Sequence, residues 1–335
     1  MSHEPLDIEQ HDQLLAYLRA TNRIASDESP QMKTLAGGVS NRTVLVKRPT
    51  GKAWVIKQAL AKLRVKVDWF SDPSRVHREA LGLKWLEKLA PPGTITPLVF
   101  EDEQHHLLAM QAVPEPHENW KTMLLRGDVE DDHVVQFANL LRIIRRASAG
   151  ANYPLDRIFD DRSFFESLRL EPYYGYTATQ VPEAAAFLHQ LMNDTRAIRT
   201  ALVHGDFSPK NILVHDGRLI LLDHEVIHWG DPAFDLGFAM THFLSKALHL
   251  PEHRKRFILA AMDFCFESDS GELGELAGRH TLACMLARVA GRSPLEYLDD
   301  AERALQRQIV LEVISSRPRD VMDVIDRIAR KLDAY

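Results

Sequence analysis

The chain has 335 residues, 45% of them apolar and 26% charged, with a formal net charge of −6. That balance supplies a core for one large or two modest domains, and it argues against a general nucleic-acid binder, which carries a strongly basic face. Cysteine is limited to Cys265 and Cys284, which points to a reducing compartment and away from a disulfide framework.

Met1 to Pro5 shows no basic stretch followed by an apolar one, so no signal peptide is expected. No apolar run reaches the roughly 20 residues that span a bilayer, and a cytoplasmic, non-membrane protein is the expectation. Leu14, Leu15 and Leu18 lie at helical spacing within 7–20. After a polar break at 26–30, strands are expected at 32–36, 43–46 and 53–56. Gly37-Gly38 follows the first, and Pro49-Thr50-Gly51-Lys52 joins the other two with turn residues. Asp72-Pro73-Ser74 opens a helix that runs to Leu89 and stops at Pro91-Pro92-Gly93. Two short strands, 95–100 and 106–110, precede the linker Val113-Pro114-Glu115-Pro116. Beyond about 118 the pattern turns helical, with helices expected at 133–148, 162–170, 182–199, 234–248, 253–267 and 273–290. Among them lies a β island at 202–203, 212–214 and 219–222. The expected organisation is a β-rich lobe over 1–112 with a leading helix, a hinge over 113–118, and a helical lobe over 119–335.

The sharpest chemical signal is His204-Gly205-Asp206-Phe207-Ser208-Pro209-Lys210-Asn211. Asp206 and Asn211 have the spacing of a kinase catalytic loop. Phosphoryl transfer needs a carboxylate that orients the attacking hydroxyl and accepts its proton. It also needs an amide oxygen that can sit on a metal ion without adding charge. Asp223 follows at the end of Leu219-Ile220-Leu221-Leu222, where a strand end can hold it against Mg²⁺, and Glu225 is a candidate second metal ligand. A lone D-x₄-N pair is commonplace; its place in one strand–loop–strand–strand unit makes it informative.

The N-terminal half supplies the complement. Gly37-Gly38-Val39-Ser40-Asn41 has the composition of a phosphate-covering loop, with Ser40 and Asn41 as side-chain donors. Lys57 ends a strand and is the candidate for the α- and β-phosphates of ATP, with Glu79 on the next helix as the ion-pair partner that fixes it. Taken singly, a glycine pair or a strand-end lysine is an ordinary surface feature; the order of the roles along the chain carries the reading.

With these residues the chain resembles the aminoglycoside phosphotransferase and choline kinase-like superfamily. The resemblance implies an α+β, bilobal protein kinase-like fold with a small β-rich N-lobe and a larger, mainly helical C-lobe. It implies Asp206 as catalytic base, Asn211 and Asp223 as Mg²⁺ ligands, and adenine against the backbone near Gln111 to Val113. Lys57-Gln58-Ala59-Leu60 with Arg64, and Glu225 followed by Gly230 and Phe234-Asp235-Leu236-Gly237, look like methylthioribose kinases in particular. Those kinases bind the sugar with an arginine pair; the matching Ala287-Arg288 offers Arg288 alone. They also tend to have serine where this chain has Asn211. The expected activity is therefore transfer of phosphate from ATP, with Mg²⁺, to a hydroxyl of a small molecule, first a sugar such as methylthioribose or a related pentose. An amino alcohol or aminoglycoside is the next choice, although Glu115 and Glu118 are the nearest carboxylates for a cationic acceptor.

Two readings compete. His224-Glu225-Val226-Ile227-His228 matches the H-E-x-x-H zinc hydrolase motif, but it follows a strand and is stopped by Trp229-Gly230-Asp231-Pro232, so a helix bearing both histidines is not expected. A nucleotide-binding pseudoenzyme would share the same motifs. Asp235 is expected to hold the catalytic loop through backbone N–H groups, its plain alternative being a helix cap.

Overall fold

The computed structural model describes residues 6–35, 40–64 and 69–334, and the chain divides into two compact units. The first comprises residues 1–88 and 95–114, the second 89–94 and 115–335.

The first unit is an antiparallel sheet of five strands: β1 (Gln31–Thr34), β2 (Asn41–Lys47), β3 (Ala53–Ala59), β4 (Leu98–Asp102) and β5 (Leu107–Gln111), in the order β1-β2-β3-β5-β4. Alternation along each strand sends Val44 and Val46, Trp54 and Ile56, and Leu107 and Ala109 to one face. Helix α1 (His11–Ala20) covers that face with Leu14, Tyr17 and Leu18. Lys57 is an intermediate position of β3, between the buried Ile56 and Gln58, and α2 (Arg75–Leu89) carries Glu79.

The second unit contains α3 (Trp120–Leu125), α4 (Asp131–Ala149), α5 (Leu155–Ile158), α6 (Ser163–Phe165), α7 (Tyr176–Gln180), α8 (Ala185–Ala197), α9 (Ala233–His249), α10 (Arg254–Glu267), α11 (Gly274–Ala290), α12 (Asp300–Ser315) and α13 (Val321–Leu332). Its strands form two small sheets. β7 (Ala201–Val203) pairs with β10 (His228–Gly230), and β8 (Ile212–His215) lies between β6 (Glu118–Asn119) and β9 (Arg218–Leu221). The helix expected at 162–170 is instead α6 continued by a π-helical stretch, Glu166–Gly175, which contains Pro172. Proline has no N–H to give an α-helical ladder, and wider turns accommodate the gap.

Helix α9 is buried from Ala233 to Leu248, as its almost continuous apolar composition requires. Asp231 caps it, accepting the Ala233 N–H at 3.0 Å, and is itself held by His280 at 3.1 Å with both side chains fully buried. Asp231 thus takes the capping place that was the plain alternative for Asp235. Helices α9 and α11 meet at Gly237, where an added Cβ would lie 2.4 Å from His280 Cβ and 2.6 Å from the Thr281 nitrogen.

A Gly→Ala change inside an open helix gains up to about 1 kcal/mol from propensity. At Gly237 the clash is with backbone and should win. Gly237→Ala is expected to lower stability by about 1–3 kcal/mol, read as a reduced denaturant midpoint at unchanged slope. An equal or higher midpoint would contradict this packing.

Candidate active site

The loop after β7 is shaped first by its glycine. Gly205 has φ +78°, and a Cβ there would meet Val226 Cγ2 at 2.9 Å, so no larger residue fits the turn. Asp235 then fixes the loop from beneath. Its Oδ2 accepts the His204 N–H at 2.6 Å and its Oδ1 accepts the Gly205 N–H at 2.8 Å. Burial pushes the Asp235 carboxyl up to about 7, against these two bonds, which favour the ionised form. The loop-holding role expected of Asp235 is the one its geometry shows.

His204 is buried and its pKa falls to about 4 through desolvation, so the imidazole is neutral. The Asp206 N–H donates to its Nδ1 at 3.2 Å, which leaves the proton on Nε2 to meet His224 Nδ1 at 3.1 Å. His228 donates from Nδ1 to the Val226 carbonyl at 2.9 Å and stacks on Phe165 at 4.0 Å. The His224–His228 segment is a turn followed by β10, so its two histidines do not share a helix face as zinc ligation by H-E-x-x-H requires.

Asp206 is 1% exposed and surrounded by donors. Its Oδ2 lies 2.8 Å from Arg169 Nη2, 3.0 Å from Lys210 Nζ and 2.8 Å from Asn211 Nδ2. Its Oδ1 has no hydrogen-bond partner among the described residues. Burial alone would raise this carboxyl; the Arg169 guanidinium and the Lys210 ammonium outweigh it and hold the pKa below the usual aspartate range. Asn211 Nδ2 also donates to the Asp206 carbonyl at 2.9 Å, which turns the amide oxygen away from Asp206.

Asp223 follows β9 with φ +69°, an uncommon conformation for a residue other than glycine. Its charge acts on Asp206, His204 and Arg169, and that of Glu225 acts on Arg169. Asn211 thus bonds Asp206 directly, and Asp223 and Glu225 lie within electrostatic reach of Arg169, the partner of Asp206. Arg288 is buried on α11, donating from Nη1 to Tyr173 Oη at 3.0 Å and to the Ser293 carbonyl at 2.6 Å.

In the first unit Lys57 Nζ lies 2.6 Å from Glu79 Oε1, and Glu79 is fully buried. Ser40 and Asn41 are buried, with Asn41 Nδ2 donating to Ser40 Oγ at 3.0 Å. Gly37 and Gly38 lie outside the described residues. The Gln111 and Ala112 N–H groups donate to the Pro97 and Ala53 carbonyls, each at 2.9 Å, and Val113 comes next along the chain.

Three residues escaped the sequence reading. Arg169 lies in the π-helical stretch and also donates from Nε to the Gly205 carbonyl at 3.0 Å. Arg75, fully buried, ties the Ser40, Leu60, Ser71 and Asp72 carbonyls together. Lys246 is fully buried in α9. The available signal was a cation within a local apolar run, visible in Leu168-Arg169-Leu170 and in Phe243-Leu244-Ser245-Lys246-Ala247-Leu248.

Residues 31–257 match the family described as "Phosphotransferase enzyme family". Methylthioribose kinases of Pectobacterium atrosepticum and Pectobacterium carotovorum subsp. carotovorum are each 25% identical to the chain, over 227 and 248 residues, or 59% and 65% of it. Those matches span 55% and 60% of the relatives' own lengths. Among solved structures, choline kinase from Cryptosporidium parvum Iowa II aligns with a TM-score of 0.56 at 9% identity, covering 97% of this chain and 99% of that one. A choline/ethanolamine kinase family protein from Mesorhizobium loti gives 0.54 at 14% identity over 96% and 99%. Amicoumacin kinase in complex with AMP-PNP, Ca²⁺ and Ami gives 0.55 at 14% identity over 87% and 91%. These likenesses establish the α+β, two-lobed kinase-like fold. The family match covers well over half of the chain and takes in the sheet, the His204–Asn211 loop and Asp223, so the chain belongs to the phosphotransferase enzyme family.

Proposed function

We propose that the chain transfers the γ-phosphate of ATP to a hydroxyl of a small molecule, first choice a sugar such as methylthioribose or a related pentose. The observation that carries this reading is the one-sided engagement of Asp206. One carboxylate oxygen is held by Arg169, Lys210 and Asn211, while the other is buried and has no protein partner among the described residues. A buried acceptor atom left in that state suits a hydroxyl donor supplied by a substrate.

In this reading Asp206 orients the acceptor hydroxyl and takes its proton as the new O–P bond forms. A carboxylate held at low pKa is a weak base. It suffices because the loose transition state of phosphoryl transfer asks mainly for positioning and charge stabilisation. Lys57, fixed by Glu79, contacts the α- and β-phosphates, and Gly37, Gly38, Ser40 and Asn41 form the covering segment. The backbone from Gln111 to Val113 receives the adenine. The donor set of one amide oxygen and one or two carboxylates at Asn211, Asp223 and Glu225 has the hard-oxygen chemistry that suits Mg²⁺. When bound, Mg²⁺ would neutralise charge on the β- and γ-phosphates. Arg288 would contact the acceptor.

The sugar preference rests on the methylthioribose kinase relatives. A cationic acceptor fits less well. Glu118 is occupied by Arg126, Glu115 lies 3.9 Å from His117, and Asp206 is already paired with two cations, Arg169 and Lys210.

The direct test is Mg·ATP-dependent ADP release over methylthioribose, related pentoses, choline, ethanolamine and aminoglycosides, each against a blank without acceptor. Release with a sugar, abolished by excess EDTA, is the expected result; ATP binding without release on any acceptor would mean that the acceptor lies outside this panel or that the chain is a pseudoenzyme. Separately, Lys57→Met is expected to weaken Mg·ATP binding by about tenfold, the scale of one lost charge-assisted contact, as measured by calorimetry. Unchanged affinity would remove Lys57 from the phosphate site.

A further inference from the structure

The second unit buries a lysine that the transfer step above does not use. Lys246 lies in α9, four residues after His242 and eight after Phe238, so the three share one helix face. It is fully buried, and its one hydrogen bond runs to the carbonyl of His242 at 3.3 Å. Among the described residues it has no carboxylate partner. Its ammonium stands 5.3 Å from the centroid of the Tyr297 ring. Glu296, the acidic group acting on it, is paired with Lys121.

Cations lie near it as well. Lys121 and Arg288 both act on Lys246, and burial together with these charges lowers its pKa to about 7. His242 feels Lys246, Arg288, Lys210 and Lys121 at once. His242 Nε2 and the Tyr297 hydroxyl are buried without a hydrogen-bond partner among the described residues, and so is Arg288 Nε. A buried amine without a carboxylate partner, beside unsatisfied polar atoms, is costly to the fold whether it stays charged or gives up its proton. The C-terminal end of the helix dipole also favours a cation at Lys246, in the last turn with His249, but a helix terminus supplies no full counter-charge.

The cluster is continuous with the transfer residues. Arg169, paired with Asp206, stands 5.9 Å from the Tyr173 ring centroid; the Tyr173 hydroxyl accepts from Arg288, and the ring stacks on Phe238 at 5.8 Å. Phe238 then meets His242 at 5.5 Å.

We propose that the acceptor carries an oxyanion, a carboxylate or a phosphate, and that Lys246 receives it with Arg288 and the Tyr297 hydroxyl. This rests on the kinase reading and moves its substrate class from the neutral sugars named first above to sugar acids and sugar phosphates. A neutral pentose brings Lys246 no counter-charge, whereas an oxyanion favours its protonated form and supplies acceptors for the unpartnered donors.

The test is calorimetric titration of the full chain with D-ribonate, D-ribose 5-phosphate and D-ribose, with Mg²⁺ and AMP-PNP present. At least one anion should bind about tenfold or more tightly than ribose, the scale of one charge-assisted bond, and the two anions tell carboxylate from phosphate. Lys246→Met should erase that preference, leave AMP-PNP affinity unchanged, and melt at the same or a higher temperature, since an apolar side chain replaces a buried amine without a carboxylate partner. Tyr297→Phe, which deletes only the hydroxyl, should reduce anion affinity severalfold and gives a second check. Equal binding of ribose and both anions, or an anion preference that survives Lys246→Met, overturns the proposal. A chain that phosphorylates neutral sugars and ignores the anions keeps the kinase reading and loses this site. A chain that prefers anions through Lys246 but transfers no phosphate keeps the oxyanion site and loses the kinase reading.

Discussion

The carboxylate of Asp235 is the constraint on which the second unit's chemistry depends. Both of its oxygens hold backbone N–H groups of the loop after β7, at His204 and Gly205. The loop's position is thereby coupled to α9, and α9 is set by its own burial, by the Asp231–His280 cap and by the close approach at Gly237. A carboxylate gripping two N–H groups defines both position and orientation, which a single bond would not. Gly205 completes the arrangement by taking a backbone conformation closed to other residues at that point.

Charge is handled alike in each unit. A carboxylate is buried, Glu79 in the first and Asp206 in the second, and a cation fixes it. Buried pairs of this kind contribute little net stability compared with apolar packing, and their retention is better explained by the geometry they enforce. Arg169 shows this most clearly: one guanidinium grips the Asp206 carboxylate and the Gly205 carbonyl, so it orders the loop and keeps the carboxylate ionised. Lys246 departs from the pattern, being a buried cation with no carboxylate among the described residues.

What could be read from the sequence was whatever is local. The His204–Asn211 loop, Asp223 after a short apolar strand, and Lys57 on β3 each carry their spacing within a few residues, and the sheet's alternation is equally short-ranged. Arg169 was hidden because its partner lies far along the chain and because the stretch holding it winds as a π-helix around Pro172. Arg75 looks like an ordinary helix-start cation until folding closes four carbonyls around it. Helices α12 and α13 lay beyond the last helix expected, although Asp299 and Glu302 spell a capping box that marks the start of α12. Tertiary contact, which no local pattern encodes, decided the rest.

The central claim is that buried Asp206 acts in phosphate transfer and has no part in holding ATP. The most direct measurement compares Asp206→Asn with the unaltered chain, following both AMP-PNP affinity and the rate of phosphate transfer to the best acceptor. The account predicts unchanged nucleotide affinity and a rate lower by about 10²–10⁴, the range for loss of a positioned general base. Transfer at the original rate by Asp206→Asn would contradict it.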